Sequence, residues 1–146
     1  TLKRALPVIA FGVLFGSLVA SASTVILAWA LGASPETLAS LAPKSVTTPV
    51  AMGIAENIGG VPALTAVCVI ATGIVGATLG PMVMNMARLK DWRARGFAMG
   101  VASHGIGTAR AFQVNETAGA FSGLAMGLNT LATALTIPFL WHWIFG

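Results

Sequence analysis

Charge is scarce in this chain. Only 8% of its 146 residues are Asp, Glu, Lys or Arg, against 56% hydrophobic, and the mean hydropathy is +0.87. A soluble domain wets its surface with charges at about a quarter of its positions, so an ordinary water-soluble globule is excluded. Cysteine is nearly absent: Cys68 stands alone inside an apolar run, which excludes an intrachain disulfide and a cysteine metal site. Acidic residues are fewer still than basic ones, four against eight, for a net charge of +4. The basic residues flank apolar runs and form no wettable face. That pattern is an orientation signal at a lipid surface and excludes a nucleic-acid footprint.

What the sequence does have is length without charge. Ala5 to Pro35, Asn57 to Ala87 and Thr117 to Gly146 carry no charged residue over 31, 31 and 30 positions. About 20 apolar residues cross a ~30 Å hydrocarbon core, so each run predicts a spanning helix with some tilt. The first run is too long for a signal-peptide core and is followed by further spans, so it belongs to the structure. Gly-x-x-x-Gly spacings at Gly12/Gly16, Gly76/Gly80 and Gly96/Gly100 predict close helix packing. Trp29, Trp92, Trp141 and Trp143 suit interfacial belts.

Two segments between the spans are apolar at their ends and broken in the middle. One runs from Thr37 to Glu56 around Pro43-Lys44-Ser45-Val46-Thr47-Thr48-Pro49, the other from Gly96 to Glu116 around Ser103-His104-Gly105-Ile106-Gly107-Thr108-Ala109-Arg110. Proline and glycine there free backbone groups that hydrocarbon cannot satisfy, so irregular backbone at that depth must line a cavity or pack inside protein. At an offset of 60, Ala42, Thr48, Ala51, Glu56, Gly59 and Leu64 fall on Ala102, Thr108, Ala111, Glu116, Gly119 and Leu124. Chance would give roughly two such identities, which suggests an internal repeat.

Charge sets the orientation. Lys3 and Arg4 precede the first span, and Arg88, Lys90, Arg93 and Arg95 follow the second, so both places are expected on the cytoplasmic side. Each broken segment then dips in and returns on its own face, and the tips approach from opposite sides near the midplane. A single crossing with an unwound middle is the alternative geometry. The expected fold is an all-α polytopic membrane protein with about three full spanning helices and two broken or re-entrant segments in an inverted repeat. Residues 1–146 form one transmembrane domain, with repeat units at roughly 5–60 and 61–120 and a closing helix at 119–146.

The broken centres carry the chemistry. Lys44 and Arg110 each cost about 2.5–3.5 kcal/mol at a helix centre, so each needs an anion, a cavity or water. Arg110 offers a planar fork for a carboxylate, and Ser45, Thr47, Thr48, Ser103 and Thr108 add hydroxyl donors. Half-helix N-termini add backbone N–H groups, so the set suits a small organic anion. His104 titrates near neutrality and is a candidate proton relay. Glu56 and Glu116 either pair with the cations or cap segments at the water boundary. The plainer readings put Arg110 on a lipid phosphate at the interface, Lys44 in an outer loop and His104 in a hydrogen-bonded core. No enzyme is expected: Ser103 and His104 are adjacent and no acid is placed to orient the histidine. His104 and His142 form no metal cluster, and Gly105-Ile106-Gly107 lacks the setting of a nucleotide fingerprint. No cofactor is called for.

The stretches Leu41-Ala42-Pro43-Lys44-Ser45-Val46-Thr47-Thr48-Pro49-Val50-Ala51, Gly59 to Val67, Ala102 to Arg110 and Gly119 to Met126 closely resemble the LrgB/CidB family. The resemblance covers nearly the whole chain. It implies a multi-pass protein of the bacterial inner membrane, often working with a small LrgA/CidA-type partner, or of the plastid envelope if the source is a plant. Plant members move glycolate and glycerate. Bacterial members are holin/antiholin-like regulators of murein hydrolase export and autolysis, and others are linked to pyruvate and related hydroxy acids. Family members usually carry further hydrophobic segments before the point where Thr1 begins, so the chain is expected to lack the family's N-terminal segments.

Two functions follow. One is a carrier of small monocarboxylates (glycolate, glycerate, pyruvate or lactate), possible proton coupling included, with Arg110 holding the carboxylate and Lys44 assisting. The alternative is a holin-like regulator acting through membrane lesions, which gives no reason to bury two cations among hydroxyls, so the carrier is the expected function. The expected partners are membrane lipid, the anion, and other copies of the chain or a small LrgA/CidA-type protein.

Overall fold

The three uncharged runs become three long helices, and each ends where its sequence changes. The computed structural model describes residues 2–145, with side chains from Pro7 to Phe145; Lys3 and Arg4 lie outside the described side chains. Helix α1 is Leu2–Ala30, α4 is Pro62–Met86 and α6 is Glu116–Phe145. At 1.5 Å per residue they reach about 43, 37 and 45 Å, each more than the hydrocarbon thickness. Helix α1 stops in a left-handed cap at Gly32 (φ 81°), where the Ala33 N–H reaches the Ala28 carbonyl at 3.0 Å. Gly59 (φ 84°) closes α3 the same way, with the Gly60 N–H on the Ala55 carbonyl at 2.7 Å.

Between the spans lie short helices. Helix α2 (Pro35–Leu41) starts on an Ser34 cap whose hydroxyl accepts from the Thr37 N–H, with Pro35 in the first turn. It stops before Pro43, which cannot continue a helix. After the break at 42–47, α3 (Thr48–Asn57) restarts with Pro49 in its first turn. Helix α5 (Trp92–Val114), capped by Asp91, consists of two helical halves joined by a kink at His104 (φ 40°, ψ −134°).

The kink reverses α5. Its first half runs beside α6 in the same direction: Gly96 lies on Ala118, Gly100 on Ser122, and Val101 reaches Asn129. Its second half runs back, with Thr108 on Ser122 and Phe112 on Gly119. Twelve residues, 92–103, rise about 18 Å, enough to reach mid-membrane and no further. Along α4 the same first half is antiparallel, with Met99 on Gly80, Ser103 against Gly76 and His104 against Gly73. The segment is therefore a re-entrant hairpin, and the single crossing is excluded.

The α2–α3 hairpin enters from the opposite face. One cavity there is bounded by the end of α1 (Trp29), the start of α2 (Pro35), the end of α3 (Ile58) and the end of α6 (Trp141, Phe145). At the other face a cavity joins Met84 of α4, Trp92 and Arg110 of α5, and Ala118 of α6. The chain is an all-α polytopic membrane protein in which two helix-plus-hairpin units run in opposite senses and α6 closes the bundle.

Packing is inverted relative to a soluble protein. Phe11, Leu135 and Phe139 are about 70% exposed, whereas Ser17, Ser40, Thr65, Ser122, Asn129 and Thr133 are buried. In lipid, tails are as apolar as leucine, so helices are held by close approach of small residues and by internal hydrogen bonds. Around the first hairpin lies the largest buried apolar cluster, in which Val46, Ala51 and Val69 are fully buried beside Ile54 and Ile137.

Candidate functional site

Both hairpin tips meet at α6, and one side chain joins them. Asn129 Nδ2 donates to the Ser45 carbonyl at 3.0 Å and to the Val101 carbonyl at 3.4 Å. These carbonyls are available because each chain breaks just beyond: Ser45 lies in the 42–47 gap, and the Val101 carbonyl belongs to the last turn before His104. Asn129 is buried, and its Oδ1 has no partner among the described residues. The sequence reading passed over it. A lone amide in the middle of an uncharged span was the available signal, since a polar group there is costly unless it faces the bundle interior.

The second tip is fixed by His104. Its Nε2–H donates to the Val69 carbonyl of α4 at 2.9 Å, and Gly73 leaves the room the ring needs. Thr108 Oγ1 donates to the His104 carbonyl at 2.8 Å and lies 2.9 Å from Ser122 Oγ. Ser103 is buried between Gly76 and Gly107, its hydroxyl unpartnered. At the first tip Ser45 is buried and Lys44 half-buried, and the neighbouring Val46 packs in one cluster with Val69, whose carbonyl holds the His104 ring. Thr47 caps α3 without a side-chain hydrogen bond, and Thr47 and Thr48 are half-buried. Lys44, Ser45, His104 and, through Asn129, the end of the first half of α5 therefore share one junction.

Arg110 does not join them, which corrects the expected pairing with Lys44. It is exposed, donates to Gln113 Oε1 at 3.3 Å, and lines the cavity on the basic face with Arg95 and Trp92. The second half of α5 runs back from the tip toward the basic face, and the Arg110 guanidinium shares the cavity there with Trp92 and Arg95, as a long cationic side chain avoiding the interior does. Glu56 and Glu116 are exposed at a helix end and a helix start. Among the described residues the one ion pair is Asp91 with Arg93, at 3.1 Å, so neither glutamate pairs with a cation there. The Arg93 hydrogen bonds hold the Asp91 carboxyl below the usual carboxylate range, which commits that acid to its neighbour.

The family model described as the LrgB-like family matches residues 1–143. YwbG of Bacillus subtilis is 41% identical over 139 residues, covering 95% of this chain and 62% of that protein. YxaC of the same organism is 37% identical over 143 residues, covering 98% and 61%. The holin-like protein CidB of Staphylococcus aureus is 34% identical over 111 residues, covering 76% and 48%. The chain thus spans about three fifths or less of the length of these relatives. No solved structure matches it.

Proposed function

Because the chain belongs to the LrgB-like family, we propose that it has a holin-like role, controlling what passes across a membrane, and that passage occurs where the two hairpin tips meet. The observation that carries this reading is the pair of hydrogen bonds from Asn129 to Ser45 and Val101. In this reading the joined tips are the barrier between the two sides. Neutral hydrogen bonds, each worth about 0.6 kcal/mol inside a membrane, and the apolar packing around Val46 close that joint, with no ion pair across it among the described residues. The naming of CidB as holin-like supports the reading. The proposed location is the bacterial inner membrane, with other copies of the chain or a small LrgA/CidA-type protein as partner and no catalytic step.

A second reading is favoured by one residue. Lys44 is half-buried at the junction near His104 and has no carboxylate partner among the described residues. A small monocarboxylate of the glycolate, glycerate, pyruvate or lactate type supplies the missing charge, with Ser45, Thr47 and Thr48 beside it and His104 as proton relay. Arg110 has no part in this version. With one interior cation where two were expected, the carrier is the weaker reading.

Proteoliposomes holding calcein and labelled pyruvate separate the two. The holin-like reading expects release that does not saturate, tolerates the larger dye and survives Lys44→Gln. Saturable pyruvate flux that excludes calcein and falls at least tenfold in Lys44→Gln establishes the carrier. Vesicles that stay tight to both solutes with folded protein overturn both.

A further inference from the structure

On the basic face, two guanidiniums with no carboxylate partner among the described residues line an otherwise largely apolar cavity. Arg95 and Arg110 face a space of about 230 Å³ whose remaining walls include Pro81, Met84 and Met99. Arg95 is held in place: its Nη1 donates to Asn85 Oδ1 at 2.8 Å and to the Leu89 carbonyl at 2.9 Å, and its guanidinium lies 5.2 Å from the Trp92 ring centroid. Arg110 has only the neutral Gln113. The nearest acid in sequence, Asp91, is taken by Arg93. Met84 and Met99 also wall a second, almost wholly apolar groove of about 370 Å³, which runs along α4 and the first half of α5 past Gly76, Gly80 and Ala98. Charge therefore sits beside an apolar groove, with Met84 and Met99 between the two.

From this we infer that Arg95, Arg110 and the α4–α5 groove form a binding site for an anionic phospholipid, whose phosphate lies between the guanidiniums and whose acyl chain fills the groove. Guanidinium matches a phosphodiester in planar geometry, and the indole of Trp92, 41% exposed, suits the headgroup level. Arg88 and Lys90, which line the adjoining surface with Trp92 and Arg95, add attraction for the anionic leaflet expected on the positive side. A free small anion would use the arginines and leave the groove without purpose, which favours the lipid. The site is independent of the passage proposed above.

The test offers the purified full chain, in a zwitterionic detergent, dioleoylphosphatidylglycerol or dioleoylphosphatidylcholine, and counts bound lipid by native mass spectrometry. Phosphatidylglycerol is expected to be retained over phosphatidylcholine. Retention is expected to fall at least fivefold in Arg110→Gln and further in Arg95→Gln/Arg110→Gln, and to be unchanged in Arg93→Gln. Ala98→Phe, which fills the exposed side of the groove and leaves both arginines, is expected to lower it as well. Equal retention of the two lipids, or no effect of Arg110→Gln, overturns the site. Displacement by millimolar inorganic phosphate with Ala98→Phe inert shows a simple anion site and overturns the lipid as occupant.

Discussion

Asn129 donates to the carbonyl of Ser45, 84 positions earlier in the chain, at 3.0 Å. With its bond to Val101 it ties the two re-entrant hairpins to the closing helix at one point. Asn129→Leu fills similar space and removes both donors, leaving two carbonyls near a helix break without their side-chain partner. The expected cost is about 1–2 kcal/mol, the sum of two intramembrane hydrogen bonds. Thermal unfolding in detergent reads the loss. Calcein leakage from proteoliposomes is expected to rise in the same variant. If Asn129→Leu matches the parent in both, the tips are joined by something else.

Glycines on the α5–α6 contact should separate sharply from glycines facing outward. A Cβ at Gly100 would meet the Ser122 carbonyl oxygen, and one at Gly96 the Ala118 carbonyl oxygen, both backbone atoms that cannot rotate away. Gly96→Ala and Gly100→Ala are expected to push the hairpin off α6 and to lose most of the monodisperse, folded protein on size exclusion. Around Gly127 nothing lies within 4 Å. Gly127→Ala is expected to raise stability by about 0.5–1 kcal/mol through helix propensity alone. Equal tolerance at all three positions would contradict the hairpin's parallel run along α6.

His104 carries opposing terms. Its backbone, at φ 40° and ψ −134°, is in a region that side-chain-bearing residues rarely adopt, at a cost of about 1–3 kcal/mol. Its ring returns part of that through the bond to Val69. His104→Gly is expected to stay within about 1 kcal/mol of the parent, relief of strain offsetting the lost bond. His104→Leu keeps the strain, loses the bond and presses a branched chain on Gly73, so it is expected to be the less stable of the two in the same melt. The reverse order would mean that the kink is not strained.

The amount of this architecture visible in the sequence follows from where charge is expensive. Three uncharged runs could only be spans, and they are. Pro43 and Pro49 marked the first break because proline cannot continue a helix. The second break was bracketed by Ser103 and Arg110, yet it falls on His104 itself and not on the neighbouring Gly105. That choice depends on Val69 and Gly73 across the interface, which local sequence does not show. The basic loop at 88–95 predicts an orientation in the membrane, while the opposite entry of the two hairpins is set by their packing along α4 and α6. Arg110 was misplaced because position in the sequence says nothing of depth: a hairpin that returns brings its second half back to the surface. Asn129 was missed because an amide has no charge, and its partners are backbone carbonyls that exist only once both hairpins are folded.

The hold of α6 on α1 can be measured as one pair. Ser17 and Thr133, both buried, have hydroxyl oxygens 2.8 Å apart, and no hydrophobic effect draws these helices together in lipid. A double-mutant cycle with Ser17→Ala and Thr133→Val is expected to give a coupling of about 0.6 kcal/mol and no more than about 1.7. The competing anchor is steric. Gly12 and Gly16 lie against Phe97 and Val101, and a Cβ at Gly16 would approach Val101 Cγ1 to 2.8 Å. Gly16→Leu is therefore expected to detach α1 from α5, read as protease access to the α1–α2 turn, while Ser17→Ala alone leaves it attached. A coupling near zero together with a released α1 in Gly16→Leu would assign the contact to close packing, and a large coupling with α1 still seated in Gly16→Leu would assign it to the hydroxyl pair.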